Sequence, residues 1–213
     1  MTENRRPLAS RETHWARSLT RWLAATSITP NQISMVSMLM AALAGVAFYL
    51  AGGADGVLRV VLLVLAALFC QLRLLCNLLD GMLAIEAGKS AADGPFWNEF
   101  PDRVSDILIV VGLGYGVGHS TLGWAAASFC VLTAYVRELG RASGAPADFS
   151  GPMAKPHRMA LITAAALVSC FDPLWNGQDR VLVAALWVVA LGAAVTVLRR
   201  SANLVRYLRV HER

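Results

Sequence analysis

Charge is scarce in this 213-residue sequence: Asp, Glu, Lys and Arg make up only 15% of it, against 56% hydrophobic residues. Because the apolar residues come in long runs rather than amphipathic stripes, that balance excludes an ordinary water-soluble domain. Lysine is nearly missing, with two Lys against 17 Arg in a chain of net charge +5. The arginines alternate with the apolar runs instead of gathering on one polar face. That excludes a nucleic-acid interface and points to the sorting of cations to the cytoplasmic side of a membrane. Cysteine is limited to Cys70, Cys76, Cys130 and Cys170, all within apolar runs and none in a CxxC pair. A zinc site or disulfide framework is thereby excluded, and the thiols read as small buried hydrophobes. There is no internal repeat and no low-complexity segment. No cleavable signal peptide is expected, because the first apolar run begins only near residue 32.

What remains is an all-α polytopic membrane protein. Residues 1–10 are polar and expected to be disordered. Over 11–30, Trp15, Leu19, Trp22 and Leu23 recur at helical spacing among arginines, which predicts an amphipathic helix lying in the membrane interface or docked on protein. A six-helix membrane domain is expected over 31–201, followed by a basic cytoplasmic tail over 202–213. Its spans are centred on 33–50, 57–85, 102–117, 122–139, 159–171 and 181–198. Thr29-Pro30-Asn31-Gln32 is the start signal of the first. Arginine and lysine collect at the N-terminus, at 86–103, at 140–158 and after Val197, which places both termini in the cytoplasm. Trp97, Trp124 and Trp175 fall at span ends, where interfacial aromatics belong. The run Gly112-Leu113-Gly114-Tyr115-Gly116 resembles a dinucleotide loop but lacks a preceding strand, so close helix packing is the better reading.

Ionisable groups inside such a chain mark function by default. On the second span, Asn77, Asp80, Gly81 and Ala84 lie at i, i+3, i+4 and i+7, one face of one helix. On the next, Asn98, Asp102 and Asp106 lie at i, i+4 and i+8, with Glu99 beside them. Both faces emerge at the cytoplasmic edge. Convergent carboxylate and amide oxygens suit a hard cation, Mg2+ or Mn2+, with a diphosphate completing its coordination. The structural alternative is an ion pair of Asp80 or Asp102 with Arg73 or Arg103. Of the four histidines only His157 lies nearby, and its spacing marks no metal ligand.

The full pattern is Asn77-x2-Asp80-Gly81-x2-Ala84-Ile85-x8-Gly94-x3-Asn98-x3-Asp102. It resembles the signature of the CDP-alcohol phosphatidyltransferases, Asp-x2-Asp-Gly-x2-Ala-Arg-x8-Gly-x3-Asp-x3-Asp, at every interval. Thr29-Pro30-Asn31, Arg137-Glu138 and Gly151…Lys155…Arg158 extend the resemblance over nearly the whole chain. Three positions depart from it: Asn77 and Asn98 stand where the signature has aspartate, and Ile85 where it has arginine.

The resemblance implies a CDP-activated lipid or alcohol as donor, a hydroxyl acceptor, release of CMP, and a homodimer embedded in membrane lipids. Carried over by position, Asp102 is the general base, and Asn77, Asp80, Asn98 and Asp102 hold the metal. Asp106 is a candidate for restoring a missing charge. Asn31, Gly81, Ala84 and Gly94 would line the nucleotide, and Arg137, Lys155 and Arg158 would meet phosphates. Arginine and alanine usage suggests a bacterial inner membrane. Other classes weighed are a non-catalytic lipid-binding relative, a metal-dependent hydrolase of a CDP-activated lipid, and a transporter.

Overall fold

The computed structural model describes residues 13–86, 88–89, 92–174 and 177–211; the expected disordered segment 1–10 and Trp175 lie outside them. A short helix α1 (His14–Ala24) precedes six long ones, α2 (Pro30–Gly52), α3 (Gly56–Glu86), α4 (Gly94–Gly116), α5 (Ser120–Ala142), α6 (Lys155–Ser169) and α7 (Arg180–His211). No strand occurs among the described residues.

Local sequence explains where α2 begins. Thr29 Oγ1 accepts from the Gln32 backbone N–H at 3.3 Å, and the Gln32 side chain accepts from the Thr29 N–H at 3.0 Å. Pro30 occupies the first turn, where its missing N–H costs nothing. Two helices run beyond their apolar stretches. α4 starts at Gly94 rather than near Asp102, and α7 continues past Leu198 to His211.

The six long helices close a ring. α2 packs on α3 and α4, α4 on α5, α5 on α7, α7 on α6, and α6 back on α3. Its interior is built from small residues such as Ala41, Ala44, Ala66, Ala126 and Ala166. Such residues let backbones approach closely where lipid supplies no hydrophobic drive between helices. The glycine run of α4 serves this purpose. A Cβ added to Gly112 would lie 2.6 Å from Gly45 Cα on α2, and one on Gly114 would lie 2.6 Å from Gly123 Cα on α5.

α2, α3 and α7 are long and apolar enough to cross a membrane. Large apolar side chains point outward from them, among them Leu39, Val46, Val61, Leu68, Leu191 and Leu198. The chain is an integral membrane protein. α1 turns Ala16, Thr20 and Leu23 onto Leu78, Leu79, Met82 and Leu83 of α3, and leaves Trp15 and Trp22 more than half exposed. It is docked on protein by one face and presents indoles on another. At the far end from the signature residues, Arg59 ties Asp179 at 2.8 Å and Asp172 at 3.4 Å.

The segment between α5 and α6 is strapped to α7. Asn203 donates to Asp148 at 3.0 Å, Arg200 to the Ser150 carbonyl at 2.9 Å, and the Met153 N–H to Thr196 Oγ1 at 3.1 Å. Gly151 has φ +113°, and a Cβ there would lie 2.9 Å from Thr196 Cβ, so only glycine fits both the backbone and the space. This strap delivers Lys155 and Arg158, at the start of α6, to the centre of the molecule.

Candidate active site

The signature face of α3 meets α4 and the first turn of α6 in a buried polar cluster. Helical spacing puts Arg73, Asn77 and Asp80 on one stripe of α3. Asn77 Nδ2 donates to Asp102 Oδ1 of α4 at 2.9 Å, and Arg73 Nη2 donates to the same oxygen at 3.2 Å. Lys155 Nζ donates to Asp102 Oδ2 and also to Asn77 Oδ1. Arg103 approaches Asp102 Oδ2 at 3.5 Å and Glu99 at 3.6 Å. Asp80, one turn beyond Asn77, accepts from Ser34 Oγ of α2 at 2.6 Å through Oδ2, while its buried Oδ1 has no partner.

Asp106 is used differently. Completely buried, it pairs with Arg158 through one oxygen and with Arg73 at 3.4 Å through the other. Both of its oxygens are therefore engaged by guanidinium groups. Arg158 also donates to the Met153 carbonyl at 3.3 Å.

The other sequence candidates spread toward the rim. Asn98 is exposed, and its amide donates to Glu99 at 3.4 Å, away from the Asp80–Asp102 network. Arg137 pairs with Glu99 and, at 2.9 Å, with Glu138, and its guanidinium stands 5.5 Å from the centre of the Phe149 ring. Asn31 donates to both oxygens of Asp93, at 3.2 and 3.1 Å, and Trp97 Nε1 adds a third bond at 2.8 Å. The Asn31 amide first, and the Trp97 indole second, hold the Asp93 carboxyl below its usual range. Gly81 and Ala84 are half-buried, and Gly94 has open space where a Cβ would stand. Ile85, at the signature arginine position, is exposed.

Two contributors escaped the sequence reading. Ser34 holds Asp80, yet a lone serine in an apolar helix carries no pattern beyond its place three residues after Asn31. Arg73 was legible as an ion-pair partner, a phosphate contact or a snorkelling span-end cation, but not in the role it proves to have, the fully buried link between Asp102 and Asp106.

Among the described residues no three His, Cys, Asp or Glu side chains converge on one metal position. A cation here must therefore take an amide oxygen as well as carboxylates. Asp80 supplies a buried, unpartnered carboxylate oxygen, and the Asn77 and Asp102 oxygens that face Lys155 are the other two. By donor chemistry alone, all oxygen with two carboxylates, that set suits a hard cation.

No family model matches the chain. A phosphatidylinositol phosphate synthase of Streptomyces avermitilis is 28% identical over 132 residues, 58% of this chain and 54% of the relative. The chain thus spans about half the length of that synthase. Inner membrane protein YnbA of Escherichia coli is 24% identical over 175 residues, 82% of this chain and 84% of YnbA. The signature spacing and the synthase relative point the same way. The chain is similar to CDP-alcohol phosphatidyltransferases in both signature spacing and sequence.

The fold agrees. The crystal structure of Mycobacterium tuberculosis phosphatidylinositol phosphate synthase with CDP-DAG bound superposes with a TM-score of 0.74 at 19% identity, covering 90% of this chain and 94% of the synthase. The same synthase in complex with manganese and citrate gives a TM-score of 0.73 at 20% identity, covering 89% and 88%. Asn77, Asn98 and Ile85 are the positions at which this chain departs from the signature it resembles.

Proposed function

We propose that this chain is a divalent-metal-dependent phosphatidyltransferase of phospholipid synthesis, moving a phosphatidyl or phospho-alcohol group from a CDP-activated donor to a hydroxyl. The observation that carries this reading is the meeting of α3 and α4, where Asn77 grips Asp102 one helical turn from the half-satisfied Asp80. The CDP-DAG and the manganese bound to the M. tuberculosis synthase support the donor class and the metal.

Asp80, Asn77 and Asp102 would hold the ion, whose role is to neutralise charge on the diphosphate. Asp102 takes the proton of the attacking hydroxyl as its oxygen bonds to the phosphoryl phosphorus and the bond to CMP breaks. A base so placed contributes a factor of roughly 100 to 10,000. Gly81, Ala84, Gly94 and Asn31 lie where the nucleotide would pass, and Lys155, Arg158 and Arg137 are the cations available to phosphates. The six long helices are six spans, with both termini and the site at the cytoplasmic face of an inner membrane, α1 in the interface and a homodimer as the working unit.

Purified protein in lipid nanodiscs, given CDP-diacylglycerol and a panel of acceptors headed by inositol phosphate, should release CMP only with Mg2+ or Mn2+. Asp102→Asn should cut that release at least about 100-fold. Release in EDTA, or full activity in the variant, would overturn the reading. One observation favours a second reading, a lipid-binding relative without turnover: Lys155 caps Asp102. It predicts CDP-lipid binding by calorimetry and no CMP from any acceptor.

A further inference from the structure

The polar cluster is close to neutral by its own side chains. The cluster holds three buried carboxylates, Asp80, Asp102 and Asp106, and three cations, Arg73, Arg158 and Lys155, whose ion pairs all fall on Asp102 and Asp106, while Arg103 is shared with Glu99. The signature would place one further negative charge at position 77, inside this cluster, and another at position 98, on its exposed rim. Here both are neutral amides. Lys155 Nζ sits between Asn77 Oδ1 and Asp102 Oδ2, two of the three oxygens that fit a metal.

We propose that Lys155 is a built-in competitor for the cation position, displaced when a divalent ion enters together with the donor's diphosphate. This rests on the metal-dependent reading above and adds how that site is gated. A divalent ion arriving alone must expel an ammonium from a cluster with no surplus negative charge, and two unit charges at contact distance repel strongly in a partly buried site. A diphosphate brings the missing charge and gives the freed ammonium an anionic partner. Metal and nucleotide therefore bind with positive coupling, each strengthening the other by the same factor. Lys155 can make this exchange because its ammonium is a point charge on a flexible stem and its side chain is 23% exposed, unlike the fully buried Arg73.

Electron paramagnetic resonance of Mn2+ tests the exchange without turnover. Free and bound Mn2+ are titrated against wild type, Lys155→Met and Asn77→Asp in nanodiscs, with and without CDP. Folding is checked by thermal unfolding in each case. Wild type alone should bind Mn2+ weakly, and CDP should tighten it at least about tenfold. Lys155→Met should tighten Mn2+ by about tenfold or more without nucleotide and shrink the effect of CDP. Asn77→Asp, which restores a carboxylate and keeps Lys155, should also tighten Mn2+. Equal or weaker Mn2+ binding by Lys155→Met overturns the competition and leaves the metal-dependent reading standing. No Mn2+ bound by any of the three, with CDP present, overturns that reading itself and the competition with it.

Discussion

Asp106→Asn separates a structural carboxylate from a metal ligand. The substitution keeps the side chain's size and removes its charge at a completely buried position. Arg158 and Arg73 each lose a counter-charge there, and neither can reach water, being 2% and 0% exposed. Breaking a buried pair by neutralising one partner typically costs about 3–5 kcal/mol. For a chain of this size each kcal/mol lowers Tm by about 2–4 °C, so the variant should melt about 6–20 °C lower. Tryptophan fluorescence during thermal unfolding in detergent measures it, in EDTA and in Mg2+. The loss should be equal in both, because the partners of Asp106 are guanidinium groups. Asp106→Asn/Arg158→Met, which removes both charges, should recover part of the loss. A variant as stable as wild type, or one whose defect is seen only with metal, would refute the argument and return Asp106 to the metal set.

Two other outcomes follow from the geometry. Gly112→Ala drives a methyl group against the α2 backbone at Gly45, a rigid neighbour; a loss of about 1–3 kcal/mol or more is expected, read as a lower Tm. The bonds from Asn31 and Trp97 hold the Asp93 carboxyl below its usual range. Its stabilisation is therefore present above about pH 4, the unfolded value, and is lost as pH falls through the lower folded one. Trp97 fluorescence should follow that titration, and Asn31→Ala should move its midpoint upward; an unmoved midpoint counts against the bond.

The sequence made legible whatever depends on near neighbours. The box around Thr29 and Gln32 is a four-residue motif, and the stripe Asn77–Asp80–Ala84 is a matter of helical period, so both were readable before any coordinates. Helix ends were less so. Hydropathy marks where a helix enters hydrocarbon, and α4 is already wound through the polar stretch from Gly94, with Pro95 in a first turn that needs no N–H and Pro101 tolerated inside. Side-chain partners were hidden altogether. Ser34 and Asp80 are 46 residues apart, and Lys155 reaches back 78 residues to Asn77. Such meetings depend on how the ring of helices closes, and no local pattern announces them. The same holds for Asp106, whose spacing matched a ligand set while its surroundings are arginine.

The strap that ends at Met153 has a consequence for how the molecule adapts. Thr196 of α7 fastens the backbone two residues before Lys155, so the reach of that ammonium and of the Arg158 guanidinium is governed by a helix that contributes no group to the reacting atoms. A single buried hydroxyl thereby fixes the footing of two cations at once.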